Sequence, residues 1–287
     1  MEAEDRCKEA FRRFTEHTSN INVLGIEREK GDNHSVFTLF YKDKKERYIP
    51  WLELNKSIKS FLSCCPEGQQ HIVLDITSLE LDTILYIMPL LIKQKPASLY
   101  CLYLVPKVYK KKEQGLVLQD IQQPKGYISF KPGIKGTRDS RHYILLGFDK
   151  GRATRFIDNY DWEPRQIHGV LGDPSYVKEE DKDGVQIALD SNSDWITQIE
   201  EKNIHRLPAH DVYKIKDFFC RQLEEAGMLD IVPLGPKPML LGTLLFYLGL
   251  NEDERANVRF LYDYPTPKKN CTTGIEKGYL FDCCELL

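Results

Sequence analysis

Three features of the sequence predict an α/β fold: a largely parallel sheet with helices on both faces. Short apolar runs recur, among them Ile72-Val73-Leu74, Ile144-Leu145-Leu146 and Ile231-Val232-Pro233. Each is followed by a turn and a stretch of helix-like period, and each unit ends in a second apolar run that leaves through proline. Strands that are apolar throughout need cover on both faces, and strands alternating with helices pair in parallel. Right-handed crossovers then gather every strand-to-helix turn on one edge, the Rossmann-like arrangement.

The first 65 residues read differently, as a small α+β segment. Residues 4–16 have helical spacing through Cys7, Ala10, Phe11 and Phe14, and turn residues at 31–33 and 42–45 divide alternating runs into short antiparallel strands. Residues 54–62 form a connecting helix. The expected domains are therefore 1–65 and 66–287.

The α/β part holds three similar units. In the first, a strand at 71–75 meets Thr77 and Glu80, which stand in capping-box relation. A helix follows on Leu81, Ile84, Leu85, Met88 and Ile92, with Pro89 expected to kink or shorten it. A strand at 99–105 leaves through Pro106 and Lys107. The second unit runs from a strand at 143–146 through the turn 147–152 and a helix ending near Asp161. It closes in a strand at 166–171 and the exit Gly172-Asp173-Pro174. The third has a strand at 230–233, the turn 234–238, a helix at 239–248 and a strand at 258–262 that exits through 263–268. Between the second and third lie a polar loop at 178–184 and two helices. One is capped by Ser193 and buries Trp195, Ile196 and Ile199. The other follows Asp211, with Val212, Ile215, Phe218, Phe219 and Leu223 inward. Residues 114–141, rich in Gly, Pro and Lys, read as a long surface loop, and 276–283 as a closing edge strand.

Composition narrows the function classes. Lys plus Arg number 40 against 43 Asp plus Glu, a net charge of -3, which argues against a general nucleic-acid or membrane-surface coat. No apolar run reaches the ~18 residues of a membrane span. The amphipathic, charged N-terminus has no signal-peptide core. The eight cysteines contain no C-x-x-C pair, so neither a zinc site nor a disulfide framework is indicated, and a reduced cytoplasmic setting is expected. No cofactor is implied.

Ligands of open α/β sheets sit beyond the carboxyl ends of the strands. The turns there contribute Asp75, Thr77, Ser78, Lys150, Arg152, Gly235, Pro236 and Lys237. The strand exits add Lys107, Asp173, Tyr262 and Lys268. This edge is moderately basic and carries helix N-termini, which suit a phosphate group. Lys237 is the sharpest candidate. Pro236 and Pro238 stiffen its turn, Gly235 allows close backbone approach, and Pro238 suits the first helical position. The plain alternative is a surface lysine on a tight turn. Asp75 would order a sugar or base and the Thr77 and Ser78 hydroxyls a phosphate, although helix capping alone accounts for Thr77. The runs Lys110-Lys111-Lys112 and Lys268-Lys269 read as solvated charge or as a pocket rim. Tyr109, Tyr262 and Tyr264 read as edge packing or as a platform for a base. His168, His205 and His210 lack a Ser or Cys elbow and support no triad. Neither a P-loop nor G-x-G-x-x-G occurs.

The piece Leu234-Gly235-Pro236-Lys237-Pro238-Met239, a strand end and short lysine turn before a very apolar helix, resembles the late unit of CRISPR-associated Rossmann fold (CARF-type) ligand sensors. Residues 74–79, LDITSL, are similar to that family's first-strand loop. The resemblance covers the region after residue 70. It departs in having Gly235-Pro236 where the family has a glycine pair, in its long spacing between units, and in lacking an attached nuclease or DNA-binding domain. It implies a sensor or regulatory subunit of prokaryotic antiviral defence that binds a nucleotide ligand such as a cyclic oligoadenylate. An enzyme acting on a nucleotide or nucleic-acid phosphate at the same edge, using Asp75, Asp173 or His210, remains the alternative, as does a non-catalytic assembly subunit. Expected partners are a phosphate-bearing ligand and a protein of a complex. A homodimer is compatible with the sequence, and no membrane is expected.

Overall fold

The structure, a computed structural model, describes residues 12, 24–30, 35–41, 44–48, 51–63, 66, 68–79, 81–109, 119–120, 127–129, 140–176, 183–263, 266–267 and 272–284. Contacts divide the chain into two compact units, Met1–Leu102 and Tyr103–Leu287. The division falls inside a strand, where the sequence reading drew its line at residue 65.

In the first unit, β1 (Gly25–Lys30), β2 (Ser35–Tyr41) and β3 (Lys44–Tyr48) form an antiparallel sheet in that order, the hairpins the alternating pattern predicts. The expected helix over 4–16 lies outside the described residues apart from Arg12. Helix α1 (Trp51–Leu62) buries Ile58 and Leu62. Strand β4 (His71–Asp75) pairs in parallel with the first half of β5 (Ser98–Tyr109). Between them α2 (Leu81–Lys93) buries Ile84, Leu85, Ile87, Met88 and Leu91. Pro89 lies within α2, which continues to Lys93. Glu80, the second member of the expected capping box, lies outside the described residues. The helix begins at Leu81, three residues later than a Thr77 cap requires, and the Thr77 N–H donates instead to Asp75 Oδ1 at 2.8 Å. A short carboxylate that turns the backbone locally competes with helix initiation.

The second unit carries the main sheet. Its strands are β8 (Arg141–Leu145), β9 (Ile167–Gly172), β10 (Ile204–Leu207), β11 (Leu229–Pro233) and β12 (Val258–Asp263), all parallel. The short strand β7 (Tyr127–Ser129) adds antiparallel to β12, and β6 (Gln119–Asp120) pairs with β13 (Thr266–Pro267). Across the sheet the order is β10-β9-β8-β11-β12. Numbering the parallel strands 1 to 5 along the chain, this is 3-2-1-4-5, the Rossmann-like order. Strand β10 is missing from the sequence reading, because Ile204-His205-Arg206-Leu207 is short and half polar. Strands β8, β9 and β11 are buried along nearly their whole length, as a sheet covered on both faces demands.

The covering helices are α3 (Arg152–Tyr160), α4 (Gly184–Ser191), α5 (Ser193–Ile196), α6 (Val212–Ala226), α7 (Lys237–Gly249) and α8 (Glu252–Ala256). Helix α4 follows directly on the expected polar loop at 178–184 and has no counterpart in the sequence reading. Ser193 is not a cap: its hydroxyl donates to the Asp190 carbonyl at 3.0 Å, and Asn192 holds the N-cap position of α5. Trp195, Ile196 and Ile199 are buried as expected. Helix α6 starts on an Asp211 cap that accepts from the Lys214 N–H, and it buries Val212, Ile215, Phe218 and Phe219. Helix α7 is buried from Pro238 to Tyr247, which explains why it is apolar on all sides. At Gly242 a Cβ would stand 2.8 Å from both the Val212 carbonyl oxygen and Ile215 Cβ, so glycine there lets α6 and α7 cross closely.

The later half of β5 lies in this unit, beside β14 (Thr272–Asp282), where Gly274 approaches Lys107. Lys107 therefore sits within β5 and not at a strand exit. Strands β4, β5 and β14 form a sheet separate from that of β8 to β12. The three similar units are thus not three parts of one sheet, because the first pairs with its own partners.

Candidate functional site at the strand-order reversal

Strand order reverses between β8 and β11, and the two turns leaving these strands meet there. A Cβ on Gly147 would lie 2.1 Å from the Leu234 carbonyl oxygen, and one on Gly235 3.2 Å from Leu145 Cβ and 3.3 Å from the Leu146 oxygen. Two backbones this close leave no space for a side chain between them. The Gly147 turn is also held from below. Its carbonyl accepts from Asn192 Nδ2 at 3.0 Å, the same nitrogen donates to the Ala188 carbonyl at 2.8 Å, and Trp195 Nε1 donates to Asn192 Oδ1 at 3.2 Å. Asn192 was not singled out in the sequence. A lone Asn between two helix-like stretches carries no signal of a contact 45 residues away.

Helix α7 starts at Lys237, with Pro236 as N-cap and Pro238 in the second position, one later than expected. Pro238 has no N–H, and that of Met239 donates to the Pro236 carbonyl at 2.9 Å. The prolines thus remove amide donors, and an anion here meets Lys237 and the helix macrodipole more than a ring of amides. Lys237 is half-buried and Lys150 exposed. Helix α3 starts without a side-chain cap, after Gly151 at φ 72°.

Two of the charged candidates, Arg152 and Asp173, are held in ion pairs. Arg152 is buried, with Nη1 3.4 Å from Asp149 Oδ2, and its guanidinium lies 5.4 Å from the centroid of the Tyr262 ring. Asp149 is buried beside it. On the opposite side of the reversal, Asp173 accepts from Arg206 Nη1 at 2.8 Å, with the two side chains 35% and 54% exposed. These pairs make the edge less basic than the lysines and arginines alone suggest.

A small recess opens between the ends of β8 and β9, lined by Leu146, Phe148, Gly172, Tyr176, Ala209 and Pro236. It holds about 30 Å3, the space of a water or two. Beside it stands a group of rings. Tyr176 meets Tyr279 edge-on at 5.2 Å and His210 at 6.3 Å, and His210 stacks on Tyr279 at 5.8 Å.

Of the sequence-predicted residues, the structure gathers Lys150, Arg152, Asp173, Gly235, Pro236, Lys237 and Tyr262 on the second unit's sheet. Asp75 ends β4 in the separate β14-β5-β4 sheet, Thr77 and Ser78 follow it in the turn, and Lys107 lies in β5. Thr77 is buried and Ser78 exposed. Lys268, Lys269, Tyr264, the side chain of Tyr109 and residues 110–112 lie outside the described residues.

Two further buried networks lie lower on the sheet. His142 Nδ1 is 2.9 Å from Asp230 Oδ2, and Arg259 donates to the same carboxylate through Nε at 2.7 Å and Nη2 at 2.6 Å. Burial raises the Asp230 carboxyl, but the hydrogen bonds from His142 and Arg259 outweigh it and hold the group below its ordinary value. His142 stacks on Trp162 at 4.1 Å. On the other face His168 Nδ1 lies 3.0 Å from His205 Nε2, and Tyr143 stacks on His168. Burial, then the nearby His205, pushes His168 down to about 3, and burial lowers His205 as well. Both networks join neighbouring strands away from the carboxyl edge. Among the described residues, no group of three or more His, Cys, Asp or Glu is placed to hold a metal ion, and no helix is long and apolar enough to cross a membrane.

Searches of protein-family models, of curated proteins and of solved structures each find no match to this chain.

Proposed function

We propose that the second unit binds a nucleotide or other phosphate-bearing ligand at its carboxyl edge, and that the protein acts as a sensor or regulatory subunit. The observation that supports this most is the reversal of strand order between β8 and β11, at which the Gly147 and Gly235 turns touch. In open α/β sheets this is where ligands enter, because the flanking helices diverge and leave a crevice. Lys237 supplies a point charge for phosphate, with the macrodipole of α7 behind it. A place in antiviral defence rests on the sensor-like turn at 234–239 alone.

The test is a thermal-shift series with mono-, di- and cyclic oligonucleotides. A ligand that binds only the native state stabilises it by RT ln(1 + [L]/Kd) and so raises the transition. The expected result is a shift with at least one nucleotide that Lys237→Ala removes while the unliganded transition stays in place. No shift with any nucleotide overturns the reading.

A further inference from the structure

We infer that the nucleoside end of the ligand lies on the β9–β10 side of the reversal, with its ribose diol on Asp173 and its base against His210 and Tyr279. This rests on the ligand reading above and assigns it a substrate class, ribonucleotides with a free 2′,3′-diol.

The two sides of the reversal differ in what they offer. Toward β12, Arg152 and Asp149 are buried against each other with the Tyr262 ring alongside, at 4% and 9% side-chain exposure. That buried pair offers a ligand no open polar group. Toward β10 the polar and aromatic groups are accessible: Asp173 is 35% exposed, His210 is exposed and Tyr279 half-buried. Asp173 follows directly on β9, the second strand of the 3-2-1-4-5 order. That strand end neighbours the first turn, so a carboxylate there reaches a sugar whose phosphate sits at the reversal. Its present partner, Arg206, is more than half exposed, and ion pairs so open to water hold weakly. Two vicinal hydroxyls can donate to the carboxylate oxygens while Arg206 keeps one or turns to solvent.

The rings stand where a base then falls. The exits of β9 and β10 run side by side, with the Asp173 N–H donating to the Leu207 carbonyl at 2.8 Å and that of Ala209 to the Pro174 carbonyl at 3.3 Å. This fixes Tyr176 and His210 next to the sugar position. Tyr279 backs His210 at an interplanar angle of 28°, and His210 is itself exposed. Lys277 Nζ lies 5.2 Å from the Tyr279 centroid, a cation at the same rim. The recess between Tyr176 and Pro236 is too small for a base, so the nucleoside lies over it.

The experiment is a titration of the full chain with the four ribonucleoside triphosphates, their 2′,3′-dideoxy counterparts, and inorganic triphosphate as a phosphate-only probe. At least one ribonucleotide should bind about tenfold or more tightly than its dideoxy form. Asp173→Asn should abolish that preference. His210→Ala should weaken the nucleotide about tenfold, the size of one lost base stack, without changing inorganic triphosphate binding. Arg206→Gln separates ligand contact from loss of the ion pair, because it breaks the pair and should retain the ribose preference. Equal affinity for ribo and dideoxy forms overturns the inference, as does an unchanged affinity in His210→Ala. If Lys237-dependent binding persists in that case, the ligand reading stands without this orientation. If neither nucleotides nor inorganic triphosphate bind, both fall.

Discussion

Gly147 and Leu234 come from turns 87 residues apart in sequence, yet a single added carbon on Gly147 would stand 2.1 Å from the Leu234 carbonyl oxygen. The obstacle is backbone at the end of a buried strand and cannot rotate away. Gly147→Ala should therefore move the turn and destabilise the unit by about 2–4 kcal/mol, in the range of overpacked or strained core sites. Gly235→Ala, with contacts of 3.2 and 3.3 Å, should cost less. Urea midpoints of the two variants check the order, and a wild-type midpoint for Gly147→Ala would refute the contact.

Gly242 gives a prediction of opposite sign to helix propensity. Replacing an interior helical Gly by Ala ordinarily stabilises by about 1 kcal/mol. Here the new carbon would meet the Val212 oxygen and Ile215 Cβ at 2.8 Å, so Gly242→Ala should lower the thermal transition. A raised transition would show that α6 and α7 have room to separate.

Asp230 joins three strands through His142 and Arg259 and is 3% exposed. Asp230→Ala leaves a nearly buried guanidinium without its carboxylate, which should cost about 3–5 kcal/mol. Asp230→Asn keeps one acceptor and should cost less. Chemical denaturation of both variants measures the difference, and equal losses would show that the acceptor kept by Asn contributes nothing.

His168 and His205 set a pH dependence. Their folded values lie below the ordinary histidine value, His168 at about 3, so the unfolded chain binds more protons in acid. Their contribution is full above about pH 6.5 and declines as pH falls toward 3, by at most about 1.4 kcal/mol per pH unit for each histidine. Asp230, also held low, adds its loss only below the usual carboxylate range. Denaturation between pH 7 and 5 isolates the histidines: the midpoint should fall there, and His168→Phe should flatten the slope. A flat wild-type profile would contradict neutral burial of the pair.

Much of the architecture is legible in the sequence because it depends on local periodicity. Apolar runs at 143–146 and 230–233 mark buried strands, and the all-apolar stretch after Pro238 marks a helix covered on every side. Local chemistry also misleads where two local solutions compete, as at Thr77, whose N–H goes to Asp75 while the helix waits for Leu81.

The α/β class, the parallel strands and the turn residues Gly235, Pro236 and Lys237 can be read from the chain alone, since each follows from period, burial or the backbone limits of Gly and Pro. Which turns become neighbours is a matter of long-range packing. It put β4 in a sheet apart from β8, inserted the half-polar β10, paired Asp173 with Arg206, and set Gly147 against Leu234. Strand order and cross-chain pairs depend on contacts dozens of residues apart, and no local pattern encodes which strand a given strand will lie beside.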